Sequence, residues 1–283
     1  MKLSTFSKNI YSQFGEDGII EKIFEIIEPR SKVCLEFGAW DGYRYSNTAN
    51  LWANKGWTGI LIEGQKDRVQ ELKKNINGYN CVAICRYVGL TEGNTLEDIL
   101  KEYDVKEDID LLSIDIDGDE YHILSTLKHL RPRVILCEYN PTIPYWLDIY
   151  SSPGNRVGAS VSALIRIGGS LGYKLISLTE TNCIFVIEQE YKKFENFNTQ
   201  VNEISSCKYL NSIITSYSGE YFVHGELPYG ITFRKIKGLK TDQVTADNIR
   251  RNRLFIIKPP FVRSTIISLL KFWRSVFAAK REL

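Results

Sequence analysis

Tyr173-Lys174-Leu175-Ile176-Ser177-Leu178 and Asn182-Cys183-Ile184-Phe185-Val186-Ile187 are two apolar runs with only Thr179-Glu180-Thr181 between them. Three residues are too few for a helical crossover, so these runs are expected to pair antiparallel. Upstream the rhythm differs. Short apolar runs at 32–38, 58–63, 81–88, 110–117 and 133–138 read as buried strands. Helix-like stretches separate them at 47–54, 65–75, 95–103 and 120–130, and another at 160–169 precedes the hairpin. In the third of these, Leu96, Ile99 and Leu100 stand at i, i+3 and i+4. Five strands with helical crossovers, closed by a hairpin, describe an α/β fold. The sheet is Rossmann-like, doubly wound and mostly parallel, with one antiparallel strand near its edge. Ligands of such sheets lie at the C-terminal ends of the strands.

The 283 residues are 43% hydrophobic, enough for a sizeable core, and carry 36 Lys+Arg against 34 Asp+Glu. A formal charge of +2 excludes a nucleic-acid binder working by bulk charge. The charge is uneven: residues 251–283 hold eight basic residues and one acid. In that tail Val262, Ile266, Leu269, Leu270, Trp273, Val276 and Phe277 share one helical stripe, with Arg263, Lys271 and Arg274 off it. A basic amphipathic helix over 260–283 is the expectation, suited to peripheral contact with an anionic membrane surface. Its rival is docking on its own domain or on a homo-oligomer mate. The start, Met1 to Lys8, lacks the apolar core of a secretory signal, and none of the six cysteines form C-x-x-C. The expected location is cytoplasmic, peripheral at the inner face of a membrane if the tail binds there. Residues 191–259 are polar and aromatic, and read as an appended lid or substrate segment.

The chemistry concentrates at strand ends. The first strand closes as Glu36-Phe37-Gly38-Ala39-Trp40-Asp41-Gly42, which is not the G-x-G-x-x-G of a dinucleotide loop. Its acids suit a cofactor with a cationic amino-acid end. Glu63, closing the second strand, is placed to take two ribose hydroxyls. The fourth strand runs into Asp115-Ile116-Asp117-Gly118-Asp119-Glu120-Tyr121-His122, with alternation setting Asp115 and Asp117 on one side. Carboxylates so clustered repel unless a cation, a donor or a shared proton offsets them. Asp117 with Glu138 and Asn140, from the fifth strand end, offers an oxygen-rich pocket for Mg²⁺ or Ca²⁺. The alternative is that Asp119 or Glu120 caps the next helix while Asp115 and Glu138 line a metal-free cleft. His122, beside the acids, is a candidate proton acceptor, with a structural histidine as the duller reading.

These motifs together resemble the FkbM-type S-adenosylmethionine-dependent methyltransferases. The resemblance rests on the strand-one loop, Leu61-Ile62-Glu63-Gly64, the stretch 113–121, Ile135-Leu136-Cys137-Glu138-Tyr139-Asn140-Pro141 and the hairpin. Upstream, Tyr11-Ser12-Gln13-Phe14-Gly15-Glu16-Asp17-Gly18 resembles the entry motif of that group. It covers about residues 11–190 and implies a class I methyltransferase domain over 1–190. By it, Glu36, Gly38 and Asp41 surround the methionine end of S-adenosylmethionine and Glu63 holds the ribose. Val88, within 87–89, meets the adenine edge, and Gln13 and Glu16 close the pocket, with Asp115 counted among the cofactor residues. The stretch Asp117-Gly118-Asp119 is also similar to macrocin-type sugar O-methyltransferases, which are metal-dependent and so raise the case for Mg²⁺.

The function expected is O-methylation of a hydroxyl on a small-molecule or glycan-bound sugar, nucleotide-linked or polymeric. Such a hydroxyl is a poor nucleophile and needs a base, from Asp117, Asp119 or His122, or a metal. Aromatics near the cleft (Tyr121, Tyr139, Tyr145, Trp146) and in the appendage (Tyr221, Phe222, Tyr229) suit stacking on sugar faces. The rival from another class is a metal-dependent nucleotide-sugar glycosyltransferase using Asp115 and Asp117 as a D-x-D. An NAD-dependent oxidoreductase is disfavoured by the missing glycine fingerprint, and a non-catalytic scaffold would bind the cofactor weakly.

Overall fold

Val33–Phe37 (β1) reads Val-Cys-Leu-Glu-Phe with every residue buried, the signature of a strand covered on both faces. It belongs to a computed structural model that describes residues 1–105, 108–215, 217, 221–224, 228, 240–242 and 254–258. The chain divides into two compact units, Met1–Cys207 and Lys208–Leu283.

In the first unit β1 is joined by β2 (Thr58–Glu63), β3 (Cys81–Cys85), β4 (Leu111–Ile114), β5 (Val134–Glu138), β6 (Tyr173–Leu178) and β7 (Asn182–Ile187). The seven strands lie in the order β3-β2-β1-β4-β5-β7-β6. β7 runs antiparallel to both β5 and β6, and the pairings from β3 through β5 are parallel. This is the class I Rossmann-like arrangement expected from the hairpin, with the reversed strand slotted inside the edge strand. The order turns back between β1 and β4, which pair with Glu36 opposite Ser113 and Phe37 opposite Ile114. A crevice opens outside the strand ends at such a reversal.

Helices cover both faces. α1 (Glu16–Ile27), α2 (Ala49–Asn54) and α3 (Lys66–Asn75) bury Ile23, Trp52 and Leu72 in one core layer. α4 (Leu96–Glu102), α5 (Glu120–Thr126) and α6 (Val161–Ser170) bury Ile99, Leu124 and Leu164 in the other. Thr95 and Asp98 form a reciprocal capping box that starts α4, and Ser160 caps α6. Past the hairpin, α7 (Glu188–Tyr191) and α8 (Val201–Ile204) continue the first unit, where the Asn198 N–H donates to the Met1 carbonyl at 2.7 Å.

Three boundaries differ from the sequence reading. β4 ends at Ile114, so Asp115 and Asp117 lie in the following loop and not on one side of a strand. Asp117 there takes a left-handed φ of 62°. α5 stops at Thr126, because the N–H groups of Lys128, His129 and Leu130 all donate to one Glu97 oxygen at 2.7–2.8 Å. The sequence reading has no helix at α1, although Ile19, Ile20, Ile23, Phe24 and Ile27 have helical spacing and are all buried.

The second unit holds β8 (Ser212–Thr215), β9 (Tyr221–His224), β10 (Lys240–Asp242) and β11 (Leu254–Lys258), in the antiparallel order β10-β11-β9-β8. The amphipathic stripe expected over 260–283, and Tyr229, lie outside the described residues. Among the described residues no helix is long and apolar enough to cross a membrane.

Candidate active site

The ends of β1, β2 and β4 enclose a cavity of about 500 Å³. Gly38 and Trp40 line it after β1, Glu63 to Gln65 after β2, and Arg86 to Val88 after β3. Asp115 to Asp117 line it after β4, together with Arg68 and Arg156.

Glycine is required at two places in this wall. Gly38 has φ +80°, and a Cβ there would sit 2.1 Å from the Asp115 carbonyl oxygen. The first loop therefore lies directly against the fourth. At Gly64 a Cβ would sit 2.2 Å from the Tyr87 ring, so the ring closes over bare backbone beside Val88.

Glu63 is fixed by its neighbours. One carboxylate oxygen accepts from the Trp40 N–H at 3.0 Å and the other from the Gln65 N–H at 2.7 Å. Each oxygen keeps a further lone pair, which leaves room for two more donors from a ligand in the cavity. Trp40, at φ +48°, lies between the guanidinium groups of Arg44 and Arg68, 4.7 and 4.5 Å from its ring. Its indole N–H is buried without a hydrogen-bond partner.

Acids converge at the β4 end. Asp115 is partly open to the cavity yet packed around by protein. Burial first, and then Glu120, Glu36, Asp117 and Glu16, push its carboxyl up to about 7. Glu120 is buried and raised as well, mainly by burial, while one of its oxygens accepts from the Ile116 and Gly118 N–H groups at 3.1 and 2.9 Å. Such a cluster favours a cation among its members.

The candidates separate by placement. Gly38, Glu63, Val88, Asp115 and Asp117 line the cavity. Glu36, raised by burial, holds the loop after β1: it accepts from Ser46 Oγ at 2.6 Å, Thr48 Oγ1 at 2.7 Å and Asn47 N–H at 2.9 Å. Asp41 closes its own turn by accepting from the Tyr43 and Arg44 N–H groups. Glu16 accepts from Thr179 Oγ1, Asn182 Nδ2 and Phe14 N–H, joining α1 to the hairpin. Gln13 contributes its carbonyl to the Asn9 side chain. Asp119 accepts from the Gly154 N–H at 2.8 Å. His122 Nε2 lies 2.7 Å from the Ser151 carbonyl, an acceptor, which places the ring proton on Nε2. Neither Asp119 nor His122 is in the cavity wall. The lining residues unseen in the sequence are Arg68, Arg86 and Arg156, which carry no motif.

The Mg²⁺ pocket expected from Asp117, Glu138 and Asn140 is not formed. Among the described residues no three His, Cys, Asp or Glu side chains are grouped to hold a metal ion. Asn140 is a loop staple: its oxygen accepts from Thr142 N–H and Oγ1, and its nitrogen donates to the Val157 carbonyl. Of the aromatics proposed for sugar stacking, Tyr121 and Tyr139 are buried in the core, whereas Trp146 is 58% exposed.

Residues 91–157, which contain the whole β4 loop, match the methyltransferase FkbM domain. Over that quarter of its length the chain is similar to the FkbM-type methyltransferases. Solved structures similar to the chain include the citrinin polyketide synthase CMeT domain, at 12% identity and TM-score 0.42 over 61% of this chain and 51% of that one. The CurJ carbon methyltransferase is similar at 11% identity and TM-score 0.43, over 62% and 56% of the two chains. A putative caffeoyl-CoA O-methyltransferase from Staphylococcus aureus gives 17% and 0.39, over 60% and 81%. The chain thus spans about half of the first two of these structures. No curated protein matches it in sequence.

Proposed function

We propose that the methyltransferase uses S-adenosylmethionine to methylate a hydroxyl oxygen of a sugar. The observation that carries the cofactor is Glu63, held at the end of β2 by two N–H groups and opening into the cavity it shares with Asp115. Glu63 would bind the ribose hydroxyls, Val88 and Tyr87 the base, and Gly38 with Trp40 the close backbone approach. The acids at the β4 end suit the cationic amino-acid end, whose charge their mutual repulsion invites. When bound, the cofactor supplies an electrophilic methyl group.

What remains for the protein is to hold the acceptor oxygen in line and take its proton. Asp117, exposed in the cavity wall, would be that base. The glycosyltransferase alternative gives way to the family match, which includes Asp115 and Asp117 themselves.

Calorimetric titration with S-adenosylhomocysteine tests the reading. Micromolar binding to the wild-type protein, lost in Glu63→Ala and weakened in Glu63→Gln, is expected. Absence of binding to the wild type, or equal binding by folded Glu63 variants, overturns it. Oxygen as the acceptor is checked with a ¹³C-methyl donor: the product must show an O-methyl carbon signal, and a C-methyl signal refutes it.

A further inference from the structure

Asp119 and His122 leave the cavity wall to hold a neighbouring segment. Gly154 N–H donates to Asp119 Oδ1 at 2.8 Å, and His122 Nε2 donates to the Ser151 carbonyl at 2.7 Å. The Tyr150 ring stacks on Tyr121 with centroids 4.0 Å apart, and Asn140 Nδ2 donates to the Val157 carbonyl at 2.8 Å. At Gly118 a Cβ would lie 2.9 Å from both the Arg156 Cα and the Asn155 carbonyl oxygen. Segment 150–158 is thus tied at five points to the loop after β4, to α5 and to the loop after β5, and its Arg156 lines the cavity.

The three cavity arginines are not equivalent. Arg86 is engaged by Glu102, the Gly93 carbonyl and Asn94. Arg68 stacks on Trp40 and stands 3.8 Å from Glu71. Among the described residues Arg156 has no ion pair. It is an exposed guanidinium in a wall that also presents Glu63, Asp115 and Asp117. Carboxylates answer a cationic cofactor; a fork of donors without a carboxylate answers an anion.

We propose that Arg156 binds an anionic substituent of the acceptor, a phosphate or a carboxylate, and that Asp119 and His122 are positioning residues that set it over the cavity. The acceptor class is then an acidic sugar: a sugar phosphate, a nucleotide-linked sugar or a uronate. This rests on the cofactor reading above and deepens it.

The test titrates the full chain, saturated with S-adenosylhomocysteine, with uridine diphosphate, glucose 1-phosphate, glucuronate and methyl glucoside. The first two probes report phosphate and the third carboxylate; the last is the neutral control. At least one anion should bind, more tightly than the glucoside. Arg156→Ala should weaken it about 10- to 100-fold, the loss of a charge-assisted hydrogen bond. Arg156→Lys should recover part of it.

Asp119→Ala and His122→Ala should weaken the same anion while sparing S-adenosylhomocysteine. Asp119→Asn, which keeps an acceptor for Gly154, should restore it. Equal anion binding by wild type and Arg156→Ala overturns the proposal, as does glucoside binding as tight as the anions', or no probe binding while S-adenosylhomocysteine binds. Loss of S-adenosylhomocysteine binding in the wild type instead sinks the cofactor reading, and the same titrations without it then decide Arg156.

Discussion

Asp115 is where the site's electrostatics can be read most directly. Its carboxyl is raised to about 7, well above a free aspartate, so the folded protein binds a proton that the unfolded chain releases at lower pH. The stabilisation this gives is complete in acid and is lost as pH rises through about 7. Asp115→Asn is expected to flatten that dependence and to raise the ligand-free protein's stability at pH 8 by at least about 1 kcal/mol, measured by urea unfolding. Cofactor affinity runs the other way. Protonating Asp115 removes an attraction for a cation, so S-adenosylmethionine binding should weaken as pH falls below 7 in the wild type and not in Asp115→Asn. Gly38→Ala should cost at least about 2 kcal/mol, read from thermal unfolding, because its Cβ meets the Asp115 carbonyl. Glu63, Gly38 and the acids of 115–117 were legible as neighbours around one cavity because strand ends and a glycine mark them locally. Arg156 was not, since its place depends on a loop folding back over Gly118, a long-range packing fact without a motif. That His122 turns to the Ser151 carbonyl is hidden for the same reason: proximity in sequence to the acids says nothing of which way a first-turn side chain turns.

Three carboxylates do for loops what caps do for helices. Asp17 Oδ2 accepts from the N–H groups of Ile10, Tyr11 and Ser12 at 2.7–2.8 Å. Asp110 Oδ2 accepts from those of Arg30, Ser31 and Lys32 at 2.8–2.9 Å, and Glu97 Oε1 from those of Lys128, His129 and Leu130. Each satisfies a run of donors that would otherwise lack partners where the chain reverses. Glu97 shows the balance: burial raises its carboxyl, but the three N–H groups outweigh burial and hold it below the ordinary glutamate value. Its contribution is therefore present at neutral pH and lost as pH falls through that lowered value. Glu97→Ala should destabilise the protein by about 1–3 kcal/mol at pH 7 and by less in acid, measured by urea unfolding at both. The strands were readable because their apolar runs are continuous, and α4 because its capping box is local. The early end of α5 was not readable, since what stops it is a carboxylate on another helix.

The whole molecule is two units, and the site draws all its lining residues from Met1–Cys207. A chain ending at Cys207 is expected to fold and to bind S-adenosylhomocysteine with wild-type affinity, as calorimetry on that truncation would show. The seven-strand order carries a consequence for how the protein is made. The strand that covers the outer side of β5 is not the next one synthesised but the last of the sheet. A ribosome extrudes Val134–Glu138 well before Asn182–Ile187 emerges to pair with it. Through that interval β5 offers an apolar row of bare N–H and C=O groups to any neighbouring chain. Fragments ending between 139 and 181 should therefore pellet with insoluble material, while those ending after 207 stay in solution. The vulnerable moment for this protein is then its birth, before Asn182–Ile187 arrives to cover β5.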